Sequence, residues 1–220
     1  MALESHTSSN SLHGHKLAVG THFFFALKPD DKAAAEIARI GERFRKTHRL
    51  IGSTIDPDDF HLTLVDVGRP ERLRQSVDSA LVAAAEAIRI NSFEISLDSA
   101  VRLSASKDGN FPFVFCADNT SAGSAMKLRM AIAEAQREVG LQVLGVSNYL
   151  PHVTLLRGNA IDAVEESMPP IRWNADEFVL IRSFFGRSKH EIVGRWPLVG
   201  DRPEPVEFDW PVEFDLPDDD

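Results

Sequence analysis

The chain has 220 residues, enough for one core of ordinary size and too few for two independent domains of average length. Apolar residues make up 43% and charged residues 26%, close to the soluble globular average, and no apolar run approaches the roughly 20 residues that span a bilayer. The net charge of −9, with seven acidic residues and no basic one in the C-terminal VEFDWPVEFDLPDDD, argues against a surface that attracts long polyanions; any contact with nucleic acid is expected at a local basic site.

Residues 1–15 are polar and rich in Ser and His, without the charged-then-apolar order of a secretory signal, so a mobile tail and a cytoplasmic protein are expected. LAVGTHFFFAL (17–27) reads as a buried strand closed by Lys28-Pro29. Asp30 and Asp31 are cap candidates, and Ile37, Ile40 and Phe44 at three- and four-residue spacing predict an amphipathic helix to about His48. PDDFHLTLVDVG (57–68) predicts a second strand, and Pro70 opens a helix with the stripe Leu73, Val77, Leu81, Ala84 and Ile88.

SFEISLDSAVRLS (92–104) alternates as a strand does, and a polar turn from Lys107 to Asn110 leads into FPFVFCAD, so the two segments predict a hairpin. Cys116 in that second strand reads as a structural thiol, since one cysteine makes no internal disulfide. A third helix is expected from Ser121 to Val139 with Gly140 as its stop, followed by the short strand PHVTLLR. An irregular stretch holding Pro169 and Pro170 precedes a closing hairpin, EFVLIRSFFG (177–186) and HEIVGRWPL (190–198). The expected division is a tail over 1–15, one domain over 16–199 and an acidic tail over 200–220, whose Phe208, Trp210 and Phe214 are able to dock on the body.

Two tetrapeptides carry the chemistry. His61-Leu62-Thr63-Leu64 and His152-Val153-Thr154-Leu155 are one pattern, His-apolar-Thr-apolar, met twice. On a strand, His and Thr at i and i+2 project to one face while the residue between them enters the packed face. With 8 His in 220 residues, chance alone yields about 0.05 such tetrapeptides at average apolar content. A lone His on a strand is most often packed or hydrogen bonded; two matched motifs point instead to a pair of proton carriers. Opening a phosphodiester takes a base for the attacking oxygen and an acid for the leaving oxygen, and two imidazoles with ordinary pKa near 6.5 divide these roles. Thr63 and Thr154 then supply hydroxyl donors to non-bridging phosphate oxygens.

With FFFALKPD at the first strand and turn, FHLTL and PHVTLLR at the motif strands, and FVLIRS with RWPL at the closing hairpin, the chain resembles the LigT-like 2H phosphoesterases, the bacterial RNA 2′,3′-cyclic phosphodiesterases also called 2′-5′ RNA ligases. The resemblance covers roughly residues 20–198. It implies an α+β fold of two pseudo-symmetric lobes, antiparallel sheets flanked by helices around a central cleft, and no metal or other cofactor. It also implies hydrolysis of an RNA or nucleoside 2′,3′-cyclic phosphate to a 2′-phosphate and, in reverse, 2′-5′ RNA ligation. By the same resemblance His61 is the acid and His152 the base, and the expected partners are RNA ends or small nucleotides bearing a cyclic phosphate, with no membrane or obligate protein partner and a monomeric chain.

Arg157 sits where the family often carries an arginine, and a guanidinium there is able to bind phosphate; five positions from His152, it faces away unless a bulge turns it. His190 replaces the aromatic residue, often Tyr, that the family has in its last hairpin. Phe23 to Phe25 read as core more readily than as a base-stacking platform, Arg102 and Lys107 are either RNA guides or solvated surface, and His13-x-His15 lacks further ligands for a metal. Two alternatives stand beside the main reading: another 2H activity, on an ADP-ribose cyclic phosphate or a 2′-5′ oligonucleotide, or a nucleotide-binding module without turnover.

Overall fold

The computed structural model describes residues 21–68, 77–105, 109–141, 143, 149–160, 162–184 and 189–200. In chain order these form β1 (Thr21–Leu27), α1 (Asp31–Thr47), β2 (Ile51–Thr54), a 3₁₀ turn (Pro57–Asp59), β3 (Leu62–Gly68), α2 (Val77–Glu86), β4 (Phe93–Arg102), β5 (Phe111–Ala117), α3 (Asn119–Glu138), β6 (His152–Ala160), β7 (Glu165–Ala175), β8 (Glu177–Phe184) and β9 (Lys189–Pro197). Asp30 caps α1 by accepting from the Ala33 amide, and Asp118 caps α3 by accepting from Ser121, so both helices start on a carboxylate that satisfies an orphan N–H. Gly140, at φ +80°, ends α3 as expected.

All pairings are antiparallel, in the order β7-β4-β5-β6-β3-β1-β8-β9, with β2 added against β6. The sheet has two halves. In one, β1–α1 leads to β3 and pairs with it; in the other, β5–α3 leads to β6 and pairs with it. Each half ends inwardly on the strand holding one His-x-Thr motif, and the halves meet where Leu62 pairs with Val153. This is the α+β, two-lobed antiparallel architecture expected from the sequence.

One face of the sheet is covered by the helices, and the main core lies there, with Phe25, Leu27, Leu62, Leu64, Phe113, Phe115, Val153 and Leu156 inaccessible or nearly so. The helices also tie the halves together. On α1, a Cβ at Gly41 would collide with the Leu155 side chain of β6, so the helix of one half presses on the motif strand of the other. From α3 the Arg129 guanidinium reaches back and donates to the Leu64 carbonyl of β3.

Several elements depart from expectation. β2 is absent from the sequence reading, because IGST is exposed throughout and shows no alternation. The irregular stretch around Pro169 and Pro170 is the edge strand β7, with Met168, Ile171, Trp173 and Ala175 buried. Its ladder with β4 runs through Leu97↔Ile171 and resumes at Ser99↔Ser167, so both prolines fall in the break where no ladder N–H is required. The first motif-bearing strand is shorter than 57–68: a 3₁₀ turn capped by Asp56 precedes β3, and His61 stands at its lip. The expected tails, His13, His15, Lys107 and the start of the Pro70 helix lie outside the described residues.

Candidate active site

The Leu62↔Val153 pair fixes the orientation of both motifs. Both residues are fully buried on the helical face, so the flanking His61, Thr63, His152 and Thr154 project together to the opposite face, where all four are half-buried. Antiparallel pairing sets His61 across from Thr154 and Thr63 across from His152; the two histidines are then diagonal neighbours, a relation that places β-carbons somewhat closer than about 7–8 Å. The sequence-predicted quartet thus converges on one surface.

The two imidazoles are held alike. His61 Nδ1 lies 2.7 Å from the Asp59 carbonyl, and His152 Nδ1 lies 2.7 Å from the Leu150 carbonyl, each two residues upstream. A carbonyl only accepts, so each Nδ1 carries the proton and each neutral ring keeps its Nε2 lone pair available. Burial pushes the His61 pKa down to about 4; the Asp59 carbonyl opposes this, while the positive charges of His190, Lys28 and Arg157 reinforce it. Burial also lowers the pKa of His152, opposed by the Leu150 carbonyl and reinforced by Arg157. Both rings are therefore disposed to be neutral until an anion arrives.

Arg157 joins this face because of a bulge. Val114 pairs with Thr154 and Phe113 with Leu156, so Leu155 is an extra residue in β6, and Leu155 and Leu156 are buried in succession. The alternation resets, and Arg157, opposite Pro112, returns to the side of His152 and Thr154 with its side chain exposed. The same irregularity recurs in β3, where Ala26 pairs with Thr63 and Phe25 with Val65, leaving Leu64 as the extra residue. Asp66 is the position equivalent to Arg157, and its carboxylate lies 3.2 Å from His22 Nε2. Duplicated backbone thus carries opposite charges on its two sides.

β1 and β9 line the His61 side. Phe23 and Phe25 enter the main core, but Phe24 turns to the site face, where its ring centroid is 4.8 Å from that of His61 and 5.7 Å from that of His190. Beneath it Ala26, Val179 and Ile181 form a small apolar floor. His190 meets His61 edge-on at 5.3 Å, and its Nδ1 lies 3.4 Å from Asp59 Oδ1. Asp59 was not legible as a site residue, since its role depends on a carbonyl and on a hairpin far along the chain. Arg102 sits on the helical side of the sheet with its guanidinium over the Phe111 ring, away from the motifs. Cys116 is buried opposite His152, and burial, with Asp98 nearby, pushes its thiol up to about 11, which leaves it inert as a nucleophile.

Behind the motifs, Tyr149 donates its hydroxyl to the Thr63 carbonyl at 3.0 Å, and Arg129 stacks on the Tyr149 ring at 4.6 Å. The Tyr149 hydroxyl and the Arg129 guanidinium thereby satisfy the Thr63 and Leu64 carbonyls of β3, just past the Leu62↔Val153 pair that joins the two motif strands. Among the described residues, no group of three or more His, Cys, Asp or Glu has metal-chelating geometry.

A family model for the 2′-5′ RNA ligase superfamily matches residues 29–183. The chain belongs to that superfamily. Similar solved structures agree with the assignment. A protein described as a phosphoesterase is 25% identical, with a TM-score of 0.62 over 81% of this chain and 99% of its own. E. coli LigT complexed with 3′-AMP is 24% identical, with a TM-score of 0.62 over 81% of this chain and 98% of its own. A Thermus thermophilus protein, TT0787, shares the fold at 20% identity, with a TM-score of 0.59 over 82% of this chain and 100% of its own. No curated protein matches the chain by sequence. The superfamily consists of phosphoesterases and ligases, and the fold is that of the LigT-like 2H phosphoesterases.

Proposed function

We propose that this protein is a cyclic phosphodiesterase that opens RNA or nucleoside 2′,3′-cyclic phosphates to 2′-phosphates, with His61 and His152 as catalytic residues and Thr63, Thr154 and Arg157 binding the phosphate. The observation that carries the proposal is the twofold arrangement about Leu62↔Val153, which sets two Nδ1-anchored imidazoles and two threonines around one space. That E. coli LigT was captured with 3′-AMP, with NADP+ and with ATP supports a nucleotide as the occupant of that space.

In the forward reaction water attacks phosphorus and gives a proton to Nε2 of His152. The bond from phosphorus to O3′ breaks, and O3′ takes a proton from Nε2 of His61. The product keeps the phosphate on O2′, and the two rings exchange their proton through solvent to reset. Ligation places a 5′-hydroxyl where water stood: it gives its proton to His152, O3′ again takes one from His61, and a 2′-5′ linkage forms; only cleavage of that linkage, in which O3′ attacks and O5′ leaves, exchanges the roles of the histidines. Thr63 and Thr154 donate to the non-bridging oxygens as negative charge builds there, and Arg157 adds a fixed positive charge. Because burial favours neutral rings, the acid's proton is taken up with the phosphate anion, whose charge raises the pKa of the nearby imidazoles.

The experiment is a substrate panel: 2′,3′-cyclic mononucleotides, RNA ending in a cyclic phosphate, 2′-5′ oligonucleotides and an ADP-ribose cyclic phosphate. Turnover of the first two with release of a 2′-phosphate is expected. Turnover of the last two alone would move the protein to another 2H activity, and binding without turnover would make it a nucleotide-binding module.

A further inference from the structure

His190 is unexplained by the paired motifs, yet three observations place it in the same machinery. Its ring packs edge-on against His61 at 5.3 Å between centroids, and both rings touch Phe24. Its Nδ1 lies 3.4 Å from the Asp59 carboxylate. The carbonyl of the same Asp59 accepts from His61 Nδ1 at 2.7 Å. One residue of the 3₁₀ turn therefore grips two histidines, one through its main chain and the other through its side chain.

We propose that His190, anchored by Asp59, is a third histidine of the site, a positioning residue that fixes the His61 ring with its Nε2 toward the cleft and sets how readily that ring takes a proton. The inference rests on the catalytic reading of His61 given above. The last torsion of the His61 side chain, which turns its ring, is broad, and a backbone hydrogen bond alone leaves that ring free to rock about the contact. His190 on one side and Phe24 on another close off this motion, which matters because proton transfer depends on alignment within the reach of a single hydrogen bond.

The electrostatic side is equally specific. Among the described residues, the charged or titratable groups facing His190 are Asp59 from the 3₁₀ turn, His61 beside it and Lys28 just past the end of β1; the cross-strand neighbour on β8 is the uncharged Ser183, and beyond it on β1 lies His22, 3.2 Å from Asp66. Arg182 and Glu191, 3.6 Å apart, occupy the opposite face of the β8–β9 hairpin. Burial lowers the pKa of His190; Asp59 opposes this by favouring the charged form, and Lys28 reinforces it. A proton on His190 in turn disfavours one on His61. The pair thus holds one proton more easily than two, which adds to burial in keeping His61 neutral until a phosphate supplies the compensating charge.

The test uses the full chain and the variants His190→Phe, His190→Ala and Asp59→Asn. Imidazole nitrogen shifts measured by NMR across pH, in the absence of any ligand, report the tautomer and titration of each ring without requiring turnover. His190→Phe keeps a flat ring against His61 and removes the charge, so His61 is expected to titrate at higher pH while His152 stays where it was. Asp59→Asn is expected to move the His190 titration to lower pH. His190→Ala is expected to loosen the His61 ring and lower kcat by about 10-fold with little change in KM, and His190→Phe should recover part of that loss. A His61 tautomer and titration identical in wild type and all three variants would overturn the proposal. Absence of turnover on every phosphoester, with the NMR coupling intact, would refute the cyclic phosphodiesterase reading and leave the coupling of His190 to His61 standing.

Discussion

Leu62 and Val153 are paired across the boundary between the two halves of the sheet, and both side chains are fully buried. The orientation of the polar quartet follows from that contact, because burying these two residues obliges their neighbours at i−1 and i+1 to face the cleft. A polar substitution here would act on the site through register, since a shift of one residue turns all four functional side chains into the core.

Replacing either histidine removes a proton carrier and leaves the sheet intact. His61→Ala and His152→Ala are each expected to lower turnover by roughly 10²-fold or more, and the double variant by less than the product of the two, since the rings act as a unit. Steady-state kinetics, with circular dichroism to confirm folding, checks this; near-normal rates in either single variant would reject a two-histidine mechanism.

Arg157 depends on backbone geometry as much as on its own chemistry. Arg157→Gln is expected to raise KM and to move both histidine limbs of the pH profile upward, because its positive charge lowers the pKa of His61 and of His152. A Cβ at Gly52 of β2 would collide with the Arg157 carbonyl oxygen, so Gly52→Ala must displace backbone on one side or the other. That variant is expected to lose about 1–3 kcal/mol of stability and to mimic part of the Arg157→Gln defect. Thermal unfolding and kinetics on the two variants would show it, and a kinetically silent Gly52→Ala would separate the bulge from function.

The pH dependence of activity should differ between the free protein and the complex. In the free protein both imidazoles titrate below their ordinary value, so kcat/KM is expected to fall as pH rises through the depressed range, where the acid loses its proton. Bound phosphate raises those values, so the optimum of kcat should lie at higher pH than that of kcat/KM. Calorimetry in buffers of different ionisation enthalpy should register net proton uptake when a 2′-phosphate nucleotide binds near neutral pH. Coincident pH profiles with no proton uptake would contradict this picture. Exhaustive EDTA treatment is expected to leave both parameters unchanged.

Stability carries the same signature. The folded-state pKa of His61, about 4, lies below the ordinary value of 6.5, so the unfolded chain binds the extra proton first as pH falls. The contribution of the neutral ring is fully present above about pH 6.5 and is lost as pH falls toward 4, by a few kcal/mol at most at ~1.4 kcal/mol per pH unit. Denaturant unfolding of His61→Gln should lose less stability than wild type across that same interval. Parallel curves would mean that His61 is solvated and ordinary in the folded protein.

How far the sequence reveals this site depends on which contacts are local. The motif strands, α1, α3 and the closing hairpin are legible because their apolar periodicity, caps and turns lie within a few residues of one another. β2 is illegible because it offers only backbone to the sheet, and β7 because its two prolines hide in a ladder break. The quartet of His61, Thr63, His152 and Thr154 follows from strand alternation alone. The orientation of Arg157 does not, since the extra residue at Leu155 is defined only by its partner β5. Neither does the Asp59–His190 contact, which joins a 3₁₀ turn to a hairpin far along the chain.

The central claim is that His61 and His152 act in concert on one cyclic phosphate, and phosphorus NMR of the products tests it most directly. Incubation of wild-type protein with a 2′,3′-cyclic mononucleotide and with RNA ending in a cyclic phosphate should convert the cyclic resonance to that of a 2′-phosphate. His152→Ala under the same conditions should leave the cyclic resonance in place. A 3′-phosphate product, or equal conversion by wild type and variant, would contradict the account.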